Sequence, residues 1–152
     1  MMKYEHANAE GTGSRLCVDI ERERDCAKIV LRIEPQAEGG GTEGQPSFSA
    51  EASAQIMLNA VGVAHVLNVL DGKTPSILDG KGVRTKSDTS FSSIHVDKAA
   101  RHPFPGFLVH IQERWANGDK VDGRIALTLT EGAALSHALR SSMATVAFGD
   151  KA

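Results

Sequence analysis

The side chains best placed to do chemistry in this sequence are cations on the polar side of alternating stretches. Between Arg15 and Ile20, the residues Leu16, Val18 and Ile20 share one face while Arg15 takes the other. Between Cys26 and Glu34, Ile29, Leu31 and Ile33 oppose Lys28 and Arg32. Farther on, Lys81, Arg84 and Lys86 form a short basic stretch, His110 and Arg114 alternate against Val109 and Ile111, and Lys120 and Arg124 belong to the run that follows. Single-stranded nucleic acid needs two things from such surfaces. Cations must track its phosphates, and flat side chains must carry its unstacked bases, each stack contributing about 1–3 kcal/mol. The flat candidates are Trp115, Phe91, Phe104, Phe107, His110 and Tyr4. Phe107 alternates in phase with Val109 and Ile111 and so reads as core. Trp115 shares that phase but stands at the strand end beside a turn, which leaves both a core and a stacking role open. A lone strand arginine is commonly just a solvated face, and Asp19 and Glu34 dilute the cationic pattern.

Catalytic chemistry finds less support. The histidines His6, His65, His95, His102, His110 and His137 are scattered, with no His-Glu-x-x-His or paired-cysteine spacing. Gly72-Lys-Thr74 matches the end of a phosphate-binding loop, yet the first glycine of that motif would fall on Leu67, and the tripeptide follows a helix instead of opening one. Gly11-Thr-Gly-Ser lacks the strand–loop–helix setting of a dinucleotide site. Ser87 to Ser93 has no base partner and reads as a polar edge strand. No catalytic residue, metal site or cofactor is expected.

Composition bounds the partners. The 152 residues suit one domain over 1–152 and can bury a core. Apolar residues make up 41% and charged residues 24%, an ordinary balance for a water-soluble chain. Seventeen basic against nineteen acidic residues give a net charge of −2, which argues against gripping duplex DNA by bulk charge but permits a locally basic groove. No apolar run approaches a membrane span, and Met1-Met-Lys-Tyr-Glu-His6 opens no cationic-then-apolar leader, so a cytoplasmic location is expected. Cys17 and Cys26 lie in neighbouring strand stretches; reduced thiols are expected there, and a cross-strand disulfide requires an oxidising compartment. The chain closes on Gly149-Asp-Lys-Ala152 without an acidic run, so recruitment of other enzymes through an acidic tail is not expected.

The elements that must position these side chains follow from periodicity. Lys3 to Ala9, Arg15 to Ile20 and Cys26 to Glu34 read as strands, with a charged turn at Glu21 to Asp25, a stop at Pro35 and a Gly-rich mobile loop from Gln36 to Gln45. Ala50 to Leu70 reads as a helix capped by Ser49 and apolar on most of its circumference, so part of it should pack on another subunit. Lys81 to Lys86 and Thr89 to Val96 read as strands, followed by a proline-broken connection, Ala99 to Gly106. Phe107 to Trp115 then pairs through Asn117-Gly118, a type I′ hairpin signal, with a second run carrying Ile125, Leu127 and Leu129. At Thr128-Leu-Thr-Glu131 the period lengthens to about 3.6, and a capping box (Thr128 with Glu131, Thr130 competing) opens a helix. Leu135, Ala138, Leu139, Ser142, Met143 and Val146 line one face of that helix, and Gly149 ends it. The halves, roughly 1–72 and 76–149, thus repeat as about four strands and a helix.

This tandem pattern resembles the whirly family, which includes the plant Whirly proteins, the kinetoplastid guide-RNA-binding proteins and the related PC4-like single-strand binders. The nearest local likenesses are Ala27-Lys-Ile-Val-Leu-Arg-Ile-Glu-Pro35, similar to that family's strand ending in Glu-Pro, and the layout of Gly106 to Phe148. Gly80-Lys-Gly-Val-Arg-Thr-Lys86 echoes its Lys-Gly-Lys strand motif. The resemblance implies an α+β fold of tandem ββββα repeats, two antiparallel sheets packed on two helices. It also implies a homo-oligomer, dimer or tetramer, paired through helices 50–70 and 130–148. The implied activity is non-catalytic, sequence-nonspecific binding of single-stranded nucleic acid, DNA favoured and RNA possible, in replication, recombination, transcription or RNA processing. Arg15, Lys28, Arg32, Lys81, Arg84, Lys86, His110, Arg114, Trp115, Lys120 and Arg124 would form its surface. The competing expectation is an interaction or assembly module that binds no nucleic acid.

Overall fold

The computed structural model describes residues 2–6, 13–23, 26–37, 48–99 and 105–148. The chain passes twice through four strands and a helix. β1 (Met2–His6), β2 (Ser14–Glu23), β3 (Cys26–Pro35) and β4 (Ala54–Leu58) precede α1 (Ala60–Leu70). A 3-10 turn (Ile77–Gly80) leads to β5 (Val83–Lys86), β6 (Ser90–Ala99), β7 (Gly106–Trp115), β8 (Lys120–Thr128) and α2 (Leu129–Phe148). Each set of strands forms one antiparallel sheet in chain order, β1-β2-β3-β4 and β5-β6-β7-β8. Several expectations lie outside the described residues: Phe104 and His102, most of the Gly-rich loop and of the proline-broken connection, the tip of the charged turn, Gly149, and the side chains of Cys26 and Val146.

The alternation read from sequence is what folds these sheets. Leu16 and Val18 on β2, and Ile29, Leu31 and Ile33 on β3, turn inward with Ala54, Ile56 and Leu58 of β4. Ile94 and Val96, Phe107, Val109 and Ile111, and Ile125 and Leu127 do the same in the second sheet, and all join one continuous core with α1 and α2. The last strand of each sheet lays its free edge on the other sheet. Gln55 of β4 donates its backbone N–H to Glu113 on β7 (3.3 Å), and Ser14 of β2 donates its hydroxyl to the carbonyl of Arg124 on β8 (2.8 Å). Gly123 permits the second approach, since a Cβ there would stand 2.7 Å from Cβ of Ile33. Two edges that would otherwise recruit foreign strands are thereby covered.

The helix expected from Ala50 to Leu70 is shorter. Ala54, Ile56 and Leu58 alternate with half-buried Gln55 and Met57, and pairing with β3 claims them as a strand. Ser49 accepts the N–H of Ala52 (3.2 Å) in a local turn, and the helix cap is Asn59, which accepts from Gly62 N–H (2.9 Å). Gly62 is buried in the first turn of α1 against Leu58. The second helix starts as the capping box requires. Glu131 N–H donates to Thr128 Oγ1 (3.0 Å) and Thr128 N–H to Glu131 Oε1 (2.9 Å). Thr128→Ala is expected to cost about 1 kcal/mol, a fall of roughly 2–4 °C in Tm by thermal melt. An unchanged Tm would mean that tertiary packing alone sets this helix start.

At Asn117-Gly118 only Gly118 has positive φ (95°). Gly118 N–H bonds Trp115 C=O (2.9 Å) and Trp115 N–H bonds Asp119 C=O (2.9 Å), so the loop has three residues and a left-handed glycine instead of a type I′ turn. Cys17 lies opposite Arg32, whereas Cys26 lies opposite Glu23, at the far end of the ladder. That separation along the strands, about 20 Å, excludes a disulfide between them, and Cys17 is a free buried thiol. Among the described residues, no helix is long and apolar enough to cross a membrane.

Candidate nucleic-acid interface

Alternation that buries one side of the second sheet turns a specific set of side chains outward. The strand register aligns them in rows across the sheet. Lys86, Phe91, Arg114 and Lys120 are successive cross-strand neighbours on β5, β6, β7 and β8. At about 4.8 Å between strands this row spans about 14 Å. Phe91 is 55% exposed, and the Lys86 ammonium stands over its ring, 5.3 Å from the centroid. The next row is Arg84, Ser93, Gln112 and Asp122; the one after it runs His95, His110, Arg124. The His95 and His110 rings lie 6.1 Å apart, and His110 Nε2 lies 2.7 Å from Asp122 Oδ1. One face therefore combines an uncovered aromatic ring, flanking cations and polar side chains between them. That is the combination a stack of unpaired bases on a charged backbone requires.

The first sheet is arranged differently. Its outward face carries Arg15 and Arg32, but between them sits Glu34, only 1% exposed. Arg15 Nε donates to Glu34 Oε1 (2.8 Å), Arg32 Nε donates to Glu34 Oε2 (2.9 Å), and a second Arg15 nitrogen reaches the same carboxylate. Arg15 also donates to Glu5 (3.3 Å) and stacks on Phe48, 4.7 Å from the ring centroid. Burial by itself would raise the Glu34 carboxyl. The hydrogen bond from Arg15, then the charges of Arg15 and Arg32, outweigh it and hold the carboxyl below its ordinary value. These guanidiniums are thus engaged with Glu34 between β2 and β3, whereas the outward rows of the second sheet hold Arg84, Lys86, Arg114, Lys120 and Arg124.

The remaining expected residues fall elsewhere. Lys81 follows the 3-10 turn and lines a cleft with Lys28, Arg84 and His65, beside the start of α1. Trp115 shares the inward face of β7 with Ile111 and Glu113, so it does not belong to the outward row; with Lys28 it lines a second cleft under β4. Phe91, set out of phase with Ile94 and Val96, is the ring the sheet exposes, and that phase was the signal that could single it out among the aromatics.

The sequence matches no protein-family model and no curated protein. Solved structures do match in fold. A guide-RNA-binding protein in a complex bound to a guide RNA aligns over 97% of this chain and 91% of its own, at 19% identity and a TM-score of 0.62. WHY3 of Arabidopsis thaliana aligns over 98% and 90%, at 11% identity and a TM-score of 0.63. The plant transcriptional regulator PBF-2 aligns over 97% and 90%, at 13% identity and a TM-score of 0.65. The fold is the tandem ββββα whirly fold that the sequence pattern resembles.

Proposed function

We propose that this whirly-fold chain binds single-stranded nucleic acid across the outward face of its second sheet, without catalysis. The observation that carries the reading is the row Lys86–Phe91–Arg114–Lys120, one exposed ring between cations on four adjacent strands. Arg84 and Arg124 extend the phosphate contacts, and the base rests on Phe91. Duplex DNA offers no free base face to such a ring, so single strands are preferred. Stacking and phosphate pairing read no base edge, so this face is indifferent to sequence. The same chemistry serves DNA and RNA, with DNA favoured, and suits the handling of exposed strands in replication, recombination, transcription or RNA processing. The guide RNA bound in one structure of similar fold supports a nucleic-acid ligand.

Copies of the chain pair through the helical layer. Val61 of α1 is exposed, and Ala133, Ala134, His137, Ser141 and Ala144 form a small, nearly uncharged exposed strip on α2. Within the chain, α1 and α2 are tied by Asp71, which accepts from Ser136 Oγ (2.7 Å) and pairs with Arg140. Light scattering should show a mass above 16.2 kDa.

A fluorescence titration of oligo-dT, oligo-U and duplex at low salt tests the binding. Both single strands should bind more tightly than duplex. With about five cations engaged, log K should fall against log salt with a slope of about −3 to −4. Absence of single-strand binding at low salt ends the reading, and capture of a peptide instead would favour an interaction module.

A further inference from the structure

Where β4 crosses the inward side of the second sheet, a cleft opens beneath the β5–β6 turn, lined by Glu113, Trp115, Ser92, Met57, Lys28 and Lys86. Glu113 is 7% exposed, a carboxylate nearly withdrawn from water. Its one described hydrogen bond is the 3.3 Å contact from Gln55 N–H to Oε1, while Oε2, to which no described residue donates, keeps some access to the open space of the cleft. A carboxylate has about four acceptor positions. A buried one ordinarily has partners for most of them, since an uncompensated buried charge is costly. Burial accordingly pushes the Glu113 carboxyl up, and the Gln55 N–H only partly offsets it. Beside it stands Trp115, half-buried, whose indole offers the cleft a flat wall. Lys28 and Lys86 border the cleft, the Lys86 ammonium lying over Phe91 on the outward face.

We propose that this cleft is a guanine-selective base pocket: Glu113 accepts the N1–H and exocyclic N2–H of one guanine, Trp115 stacks on its ring, and Lys28 and Lys86 meet the adjoining phosphates. The assignment rests on the single-strand reading and adds one base-reading position to it. Guanine is the base whose Watson–Crick edge presents two adjacent donors. Adenine and cytosine each set a ring-nitrogen lone pair against the carboxylate, and uracil and thymine flank their single N–H with carbonyls. A strand stacked on Phe91 reaches the cleft by turning over Ser87 to Thr89, with Lys86 serving both sides of that turn.

The test compares a short oligothymidylate with versions carrying one central guanosine or one central inosine, which lacks the exocyclic amino group. The guanosine strand should bind roughly tenfold more tightly than oligothymidylate, the worth of one good bidentate pair, with the inosine strand, which keeps N1–H alone, in between. Because Trp115 is the sole tryptophan, its emission should be quenched by that strand in particular. Glu113→Gln keeps an oxygen for Gln55 N–H and should abolish the preference, leaving oligothymidylate affinity unchanged. Equal affinities for the guanosine and inosine strands in the wild-type chain would overturn the pocket whatever the variant does, as would a preference that survives Glu113→Gln. If all three strands bind equally with a steep salt dependence, the pocket is lost and the sheet reading stands; if none binds, both are lost.

Discussion

Phe91→Ala should raise the Kd for single strands roughly 5- to 150-fold, the loss of one base–aromatic stack at about 1–3 kcal/mol. The ring is the uncovered aromatic at the centre of the cationic row, and it packs on nothing in the core, so Tm should stay within about 1–2 °C of wild type, as for other surface changes. Phe91→Tyr keeps the flat face and should retain affinity, whereas Phe91→Leu keeps apolar area and should not. The contrast is Phe107→Ala, where a ring 4% exposed is removed from the core at a cost of about 3–5 kcal/mol of stability. Anisotropy titration alongside thermal melting separates these outcomes. A Phe91→Ala variant that binds as tightly as wild type at low salt would show that bases do not rest on this face.

Glu34→Gln should do the opposite, weakening the fold and sparing the binding. The carboxylate is the shared acceptor of two guanidiniums whose side chains are themselves 19% and 29% exposed. Loss of a buried charge that holds two partners costs about 3–5 kcal/mol when all are buried, and partial exposure of the arginines brings the expectation to about 2–4 kcal/mol. The acid dependence follows from the sign of the shift. Since the folded-state value lies below the unfolded one, Glu34 contributes fully above the ordinary carboxylate range, and its contribution drains away as pH falls through the depressed value. The variant should therefore lose less stability on acidification than wild type, measured by denaturant titration across acidic pH. Affinity for oligonucleotides is expected not to fall, because Glu34 already engages Arg15 and Arg32; a marked loss of affinity at matched fold content would return those arginines to the binding surface.

The strands and the second helix were legible because their information is local. Alternation of Ile29, Leu31 and Ile33, or of Val109 and Ile111, states which side must leave water, and Thr128 with Glu131 states where a helix can begin. The strand at Ala54–Leu58 was not legible in the same way. Its apolar run suits a helix equally well, and the partner that decides, β3, lies some twenty residues away across the Gly-rich loop. The Asn117-Gly118 turn carried the residues of one geometry and adopted another, because the register between β7 and β8 set the number of loop residues.

The sequence by itself determined which side chains leave the core: the phase of each strand put Arg84, Lys86, Arg114 and Arg124 on polar faces and kept Phe107 inside. Only the tertiary structure decided which of those cations are free. Arg15 and Lys86 look alike in the sequence, but register places Glu34 beside the first and an exposed Phe91 beside the second. The physical reason is that a strand's own pattern fixes in or out, while what an outward residue meets is set by neighbours across the ladder, about 5 Å away in space but five residues along the chain for Lys86 and Phe91 and nineteen for Arg15 and Glu34.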